Sequence, residues 1–147
     1  KQKIIEFLDQ NEINYHVLEK REMENYIPND VIANIDVNVE YLTAYLNLNS
    51  DQKDFFDLEC GFEDKSFKSM NQAIQKLYSD ISDESFNVFR KNNLKKFTGG
   101  EKEDFKNEFP KLFESKKITK SSYVKRCAHQ NNPNEIEDII EKVRELL

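Results

Sequence analysis

Turn-forming residues are so scarce in this chain that helices must make up most of it. Three glycines and three prolines serve 147 residues, whereas a sandwich or barrel built from short strands needs turn signals about every 8–12 positions. The apolar residues fall in with this. Ile4, Ile5 and Leu8 recur at helical spacing over residues 2–11, with Asn11 as a stop. Val39, Tyr41, Leu42, Tyr45, Leu46 and Leu48 form a broad apolar face over residues 38–48. Ser50-Asp51 starts a helix carrying Phe55, Phe56 and Leu58 toward Gly61, a C-cap residue, and Asn29 or Asp30 caps a segment through Val31, Ile32 and Ile35. Residues 66–80 read as an amphipathic helix, and Ser82 and Thr119 each open another. The last helix, introduced by Asn132-Pro133, bears Ile136, Ile139, Ile140, Val143, Leu146 and Leu147 as a stripe that reads as core. Only residues 13–19, where Ile13, Tyr15 and Val17 alternate with Asn14, His16 and Leu18, predict a strand. The expected class is mainly α with a small β contribution.

The length suits one domain with a sizeable core, which eleven Phe and six Tyr supply in the absence of Trp. No apolar run approaches the roughly 18 residues of a membrane span, and Lys1-Gln2-Lys3 does not open a signal peptide. Cys60 and Cys127 lack a C-x-x-C partner and read as free thiols of a reducing cytosol, so a cytoplasmic location is expected. His16 and His129 are too few and too separated to suggest zinc. The chain lacks an initiating Met and its lone strand needs sheet partners from elsewhere, so it reads as the continuation of a longer protein.

Charge is unevenly spread. Residues 1–89 carry 8 Lys/Arg against 18 Asp/Glu, whereas residues 90–126 carry 12 against 5. Within that basic third, Arg90, Lys91, Lys95 and Lys96 flank Phe89 and Phe97, while Lys116, Lys117, Lys120, Lys125 and Arg126 flank Tyr123. Cations interleaved with aromatics suit a nucleic-acid backbone track with occasional base stacking. The same residues also read as a lysine-rich helix face that pairs with the acidic half. Thr98-Gly99-Gly100 inside this third is a hinge or a plain surface turn, and no P-loop spacing accompanies it.

Residues 17–28, V-L-E-K-R-E-M-E-N-Y-I-P, carry the densest chemistry. Glu22 and Glu24 lie two apart beside Lys20 and Arg21. In a helix such a pair diverges by about 200°, so a metal site needs Glu22 extended and Glu24 at the start of the following helix. Mg²⁺ takes few protein carboxylates and leaves room for phosphate oxygens, and Lys20 or Arg21 can meet the charge of a phosphate undergoing displacement. The plain alternative is a solvated, salt-bridged turn.

The ordered string Leu18 to Tyr26, preceded by a helix and a strand, resembles the late part of the TOPRIM domain in OLD-family and related nucleases that accompany defence ATPases. Weaker likenesses lie at Gly61-Phe62 and at Phe109 to Phe113. The resemblance implies that residues 1–30 are the C-terminal part of an α/β TOPRIM unit and residues 31–147 a helical extension. It implies Mg²⁺- or Mn²⁺-dependent hydrolysis of DNA or RNA in anti-phage defence, beside an ABC-type ATPase. Residue by residue, Glu22 and Glu24 inherit a metal role, Lys20 and Arg21 a catalytic phosphate role, and Asn25 and Tyr26 the orientation of the turn. The family's upstream glutamate and D-x-D strand have no counterpart here; Asp36-Val37-Asn38 follows the E-x-E element and does not replace them. A different expectation is a non-catalytic helical module that binds a protein or nucleic acid through residues 90–126. An unpaired strand edge would also invite homo-oligomers.

Overall fold

The structure is a computed structural model that describes residues 2–34, 39–58, 61–62, 71–90, 111–112 and 117–145. Within them lie α1 (Gln2–Gln10), a 3-10 turn (Met23–Tyr26), α2 (Asn29–Ile32), α3 (Val39–Asn47), α4 (Ser50–Phe55), α5 (Gln72–Lys76), α6 (Asp83–Val88), α7 (Lys120–Cys127) and α8 (Glu135–Glu145). The mainly α expectation holds. None of these helices is long and apolar enough to cross a membrane.

Local chemistry explains most of the starts. Asn49, Ser82 and Thr119 accept hydrogen bonds from the backbone N–H groups of Gln52, Ser85 and Ser122, which the first turn of a helix leaves without partners. At α2 the cap position falls to Pro28, whose fixed φ suits it, and Asn29 is the first helical residue instead of the cap. α1 ends in a Schellman turn, with Ile13 N–H donating to Leu8 O and Glu12 N–H to Asp9 O; Glu12 takes the left-handed conformation that glycine adopts more readily.

Aromatic rings fill the core. Phe56 packs against Phe89 at 4.7 Å, Phe62 at 5.6 Å and Tyr45 at 5.7 Å, and Phe62 stacks on Phe86 at 4.8 Å. Ile27, Val31, Ile32, Tyr41 and Tyr78 complete the cluster. Gly61 is not the C-cap of α4, which ends at Phe56. Its positive φ turns the chain so that Phe62 N–H reaches Phe89 O at 3.1 Å, an isolated antiparallel bridge between Gly61 and Arg90.

Two expectations are corrected. The strand at 13–19 does not form: these residues are irregular, and Ile13, Tyr15 and Val17 are exposed. No β-strand occurs among the described residues, so nothing there supplies the α/β unit that the TOPRIM likeness implied. On the α8 stripe, Ile140 and Val143 are not core either: they are 46% and 51% exposed, and Ile4 and Phe7 on α1 are 64% and 58% exposed, because these side chains lie outside the aromatic cluster. Ile136 and Ile139 are half-buried, and Leu146 and Leu147 lie outside the described residues.

Candidate functional site

Asp54, near the end of α4, sits at the centre of a buried ionic cluster. Its Oδ1 accepts from Lys20 Nζ at 2.6 Å and from Arg126 Nη2 at 2.7 Å, and its Oδ2 lies 2.6 Å from His129 Nε2. Burial by itself would raise the Asp54 carboxyl; Arg126, Lys20 and His129 outweigh it and hold the group below its ordinary value. Lys53, one residue earlier, donates to Leu46 O at 2.8 Å. Burial, helped by the repulsion of Arg126, pushes its ammonium down to about 8. Lys20 is lowered for the same two reasons, although Asp54 opposes the change.

A second buried carboxylate ties the 16–26 segment to α8. Glu135, 1% exposed, accepts from the Tyr26 hydroxyl and from Glu19 N–H at 3.0 Å, with His16 Nε2 at 2.6 Å. The Glu19 carboxylate in turn accepts from Asn132 N–H at 3.2 Å and Gln130 Nε2 at 3.3 Å. Asn25 holds the turn from inside. Its Oδ1 accepts from Glu22 N–H at 2.9 Å, and its Nδ2 donates to Lys53 O at 2.8 Å and Phe56 O at 3.2 Å.

The residues singled out in the sequence are thus distributed unevenly. Lys20 is 2% exposed and engaged by Asp54; Arg21 pairs with Asp57 and lies 3.6 Å from Glu22 Oε1. Glu22 is extended, with φ −140° and ψ 158°, and Glu24 is half-buried in the 3-10 turn that follows. Arg90, Lys117, Lys120 and Lys125 are exposed. Of these, Arg90 lies over the Phe86 ring at 5.5 Å and Lys120 reaches Glu137 at 2.8 Å. Arg126 does not join that exposed face, because it turns inward to Asp54. Lys91, Lys95, Lys96 and Lys116 lie outside the described residues, as do Cys60, Asp36 and residues 98–100. Cys127 is buried and free.

Asp54, Asp57 and Glu135 escaped the sequence reading, and the two histidines, set aside there as zinc ligands, prove to pair with Glu135 and Asp54. Their partners lie 34 to 119 positions away, and no local periodicity encodes such a pairing. The TOPRIM likeness gave Asn25 and Tyr26 the orientation of the turn, and there Asn25 Oδ1 accepts from Glu22 N–H and the Tyr26 hydroxyl accepts from Lys20 N–H.

Among the described residues, one group of three metal-ligating side chains comes together: Asp51, Asp54 and His129, with donor atoms within 4.8 Å of one another. It fits Mg²⁺ poorly. Mg²⁺ prefers oxygen ligands in octahedral geometry, and here a dication would compete with Lys20 and Arg126 for Asp54. Glu22 and Glu24 are not part of that group. Compared with protein-family models, curated proteins and solved structures, the chain matches none.

Proposed function

We propose that this chain is a helical module that binds the phosphate backbone of DNA or RNA through its basic segment, residues 90–126, without performing chemistry on it. The observation that carries this reading is the charge at α7. Lys117, Lys120 and Lys125 stand on the surface there, and behind them Lys20 and Arg126 share the single carboxylate Asp54, while Lys53 bonds to the Leu46 carbonyl. Cations at a surface that is already positive underneath attract a polyanion and release its counterions on contact. Fluorescence anisotropy with a single-stranded oligonucleotide tests it. Replacing Lys117 and Lys125 by Glu should weaken binding at least about tenfold and flatten the slope of log affinity against log salt by about 1.4, the share of two contacts on a single strand. Unchanged affinity and slope would refute the reading.

One observation favours a second reading, the C-terminal portion of a metal-dependent TOPRIM-type nuclease acting with an ABC-type ATPase. Glu22 is extended and Glu24 lies in the helical turn after it, the arrangement an E-x-E metal pair requires. Calorimetric titration with Mn²⁺ tests this. Binding that disappears in the Glu22→Ala/Glu24→Ala protein supports it, and binding unaltered by that double replacement sinks it.

A further inference from the structure

Between α2, the first residue of α4 and α7 lies a cleft of about 580 Å³, whose lining includes Asn29, Asp30, Ser50, Ser121, Lys125 and Arg126. Arg126 forms its inner wall. The side chain is 3% exposed and anchored through Nη2 to Asp54, yet Nε and Nη1 are buried without any hydrogen-bond partner. A buried donor left unmatched is costly, and more so when it is charged, so a guanidinium that lines the cleft and keeps two unmatched nitrogens favours an acceptor there. Lys53 and Lys20 deepen that preference. Both lie close enough to be depressed by the guanidinium, and Asp54 cannot neutralise all three.

The rest of the lining suits a small tetrahedral oxyanion. Ser50 and Ser121 offer hydroxyl donors, Asn29 an amide and Lys125 an ammonium. Asp30 is the one carboxylate among the described lining residues. It disfavours a fully ionised ligand but accepts a hydrogen bond from a phosphoryl oxygen that keeps its proton, which sulfate at neutral pH cannot provide. We propose that this cleft binds a phosphoryl group, seated on Arg126 and Lys125 and covered by the hydroxyls of Ser50 and Ser121. The inference deepens the backbone-binding reading and rests on it for the source of the ligand: the terminal phosphate of a nucleic-acid strand.

The test uses the full chain and three probes: inorganic phosphate followed by calorimetry and ³¹P NMR, and one oligonucleotide with either a 5′-phosphate or a 5′-hydroxyl. Arg126→Gln removes the wall but also unbalances Asp54, so the deciding variant is Ser121→Glu, at an exposed position of the rim. Phosphate binding that weakens at least about tenfold in Ser121→Glu, with sulfate failing to compete, is the expected result. No phosphate binding, or binding indifferent to Ser121→Glu and matched by sulfate, overturns the inference. A 5′-phosphate that tightens oligonucleotide binding about tenfold in wild type but not in Ser121→Glu identifies the strand terminus as the source. If phosphate binds in a Ser121-dependent way while neither oligonucleotide binds, the cleft stands as a site for small phosphate esters and the backbone reading falls. If both oligonucleotides bind equally, lose affinity with Lys117→Glu and ignore Ser121→Glu, the backbone reading stands and the cleft falls.

Discussion

Asp54 shows how a single carboxylate comes to govern a core it barely contacts hydrophobically. Removing its charge leaves Lys20 and Arg126 buried side by side, and breaking a buried pair by deleting one partner costs about 3–5 kcal/mol. Asp54→Asn should therefore lower the unfolding free energy measured in urea by that amount, whereas Lys120→Ala, which breaks an exposed pair with Glu137, should leave it unchanged. Lys53 contributes a pH dependence of the same sense as an acid-sensitive carboxylate, but in an alkaline window. Its folded value near 8 lies below the ordinary 10.5, so between those values the unfolded chain binds more protons than the folded one. Stability then rises with pH across that window, by up to about 1.4 kcal/mol per pH unit for one group. Above the ordinary tyrosine range the trend reverses, because burial holds the Tyr26, Tyr45 and Tyr78 hydroxyls protonated in the fold while the unfolded chain ionises them. Denaturant midpoints should thus be higher at pH 9.5 than at pH 7.5 and fall beyond about pH 10; a flat profile from 7.5 to 9.5 would contradict the buried placement of Lys53, and Lys53→Met should shrink the rise to what Lys20, also lowered, contributes.

At the level of elements, the 3-10 turn is held by one side chain. Asn25 satisfies Glu22 N–H, Lys53 O and Phe56 O from a fully buried position. Asn25→Ala strands all three backbone groups, and at about 1–3 kcal/mol for each unmatched buried group even partial relaxation predicts a loss of about 3 kcal/mol by equilibrium unfolding. A loss below about 1 kcal/mol would mean that the turn does not dock on α4 as described. Helices differ just as sharply in what they bury. Phe56→Ala removes the ring at the centre of the aromatic cluster and should cost about 3–5 kcal/mol. Ile140→Gln with Val143→Gln alters two residues that face water and should move stability by no more than about 0.5 kcal/mol. A larger loss would show that α8 is packed more tightly than its exposure indicates.

Over the whole molecule, the acidic and basic thirds do not simply cancel: the buried ionic clusters draw Arg126 and Lys20 out of the surface charge and bind them to Asp54, while Glu135 takes Tyr26 and His16. Among the described residues of the basic third, Arg90, Lys111, Lys117, Lys120 and Lys125 are exposed, whereas Arg126 is not. The helical class and the starts at Ser50, Asp83 and Lys120 were legible in the chain. Each rests on interactions within four residues, caps and apolar periodicity, which a linear sequence records directly. The part of Asn25 and Tyr26 in the turn came only from the TOPRIM likeness, and their partners include Lys53, Phe56 and Glu135, far along the chain. The strand at 13–19 and the α8 stripe were misread for a related reason: alternation and helical spacing describe an amphipathic face, but burial of that face depends on what packs against it. The Asp54 and Glu135 clusters and the Arg126 cleft were decided by tertiary structure alone. They join residues tens to more than a hundred positions apart, and which lysine or arginine is drawn inward depends on where a carboxylate is buried, a property no single segment carries.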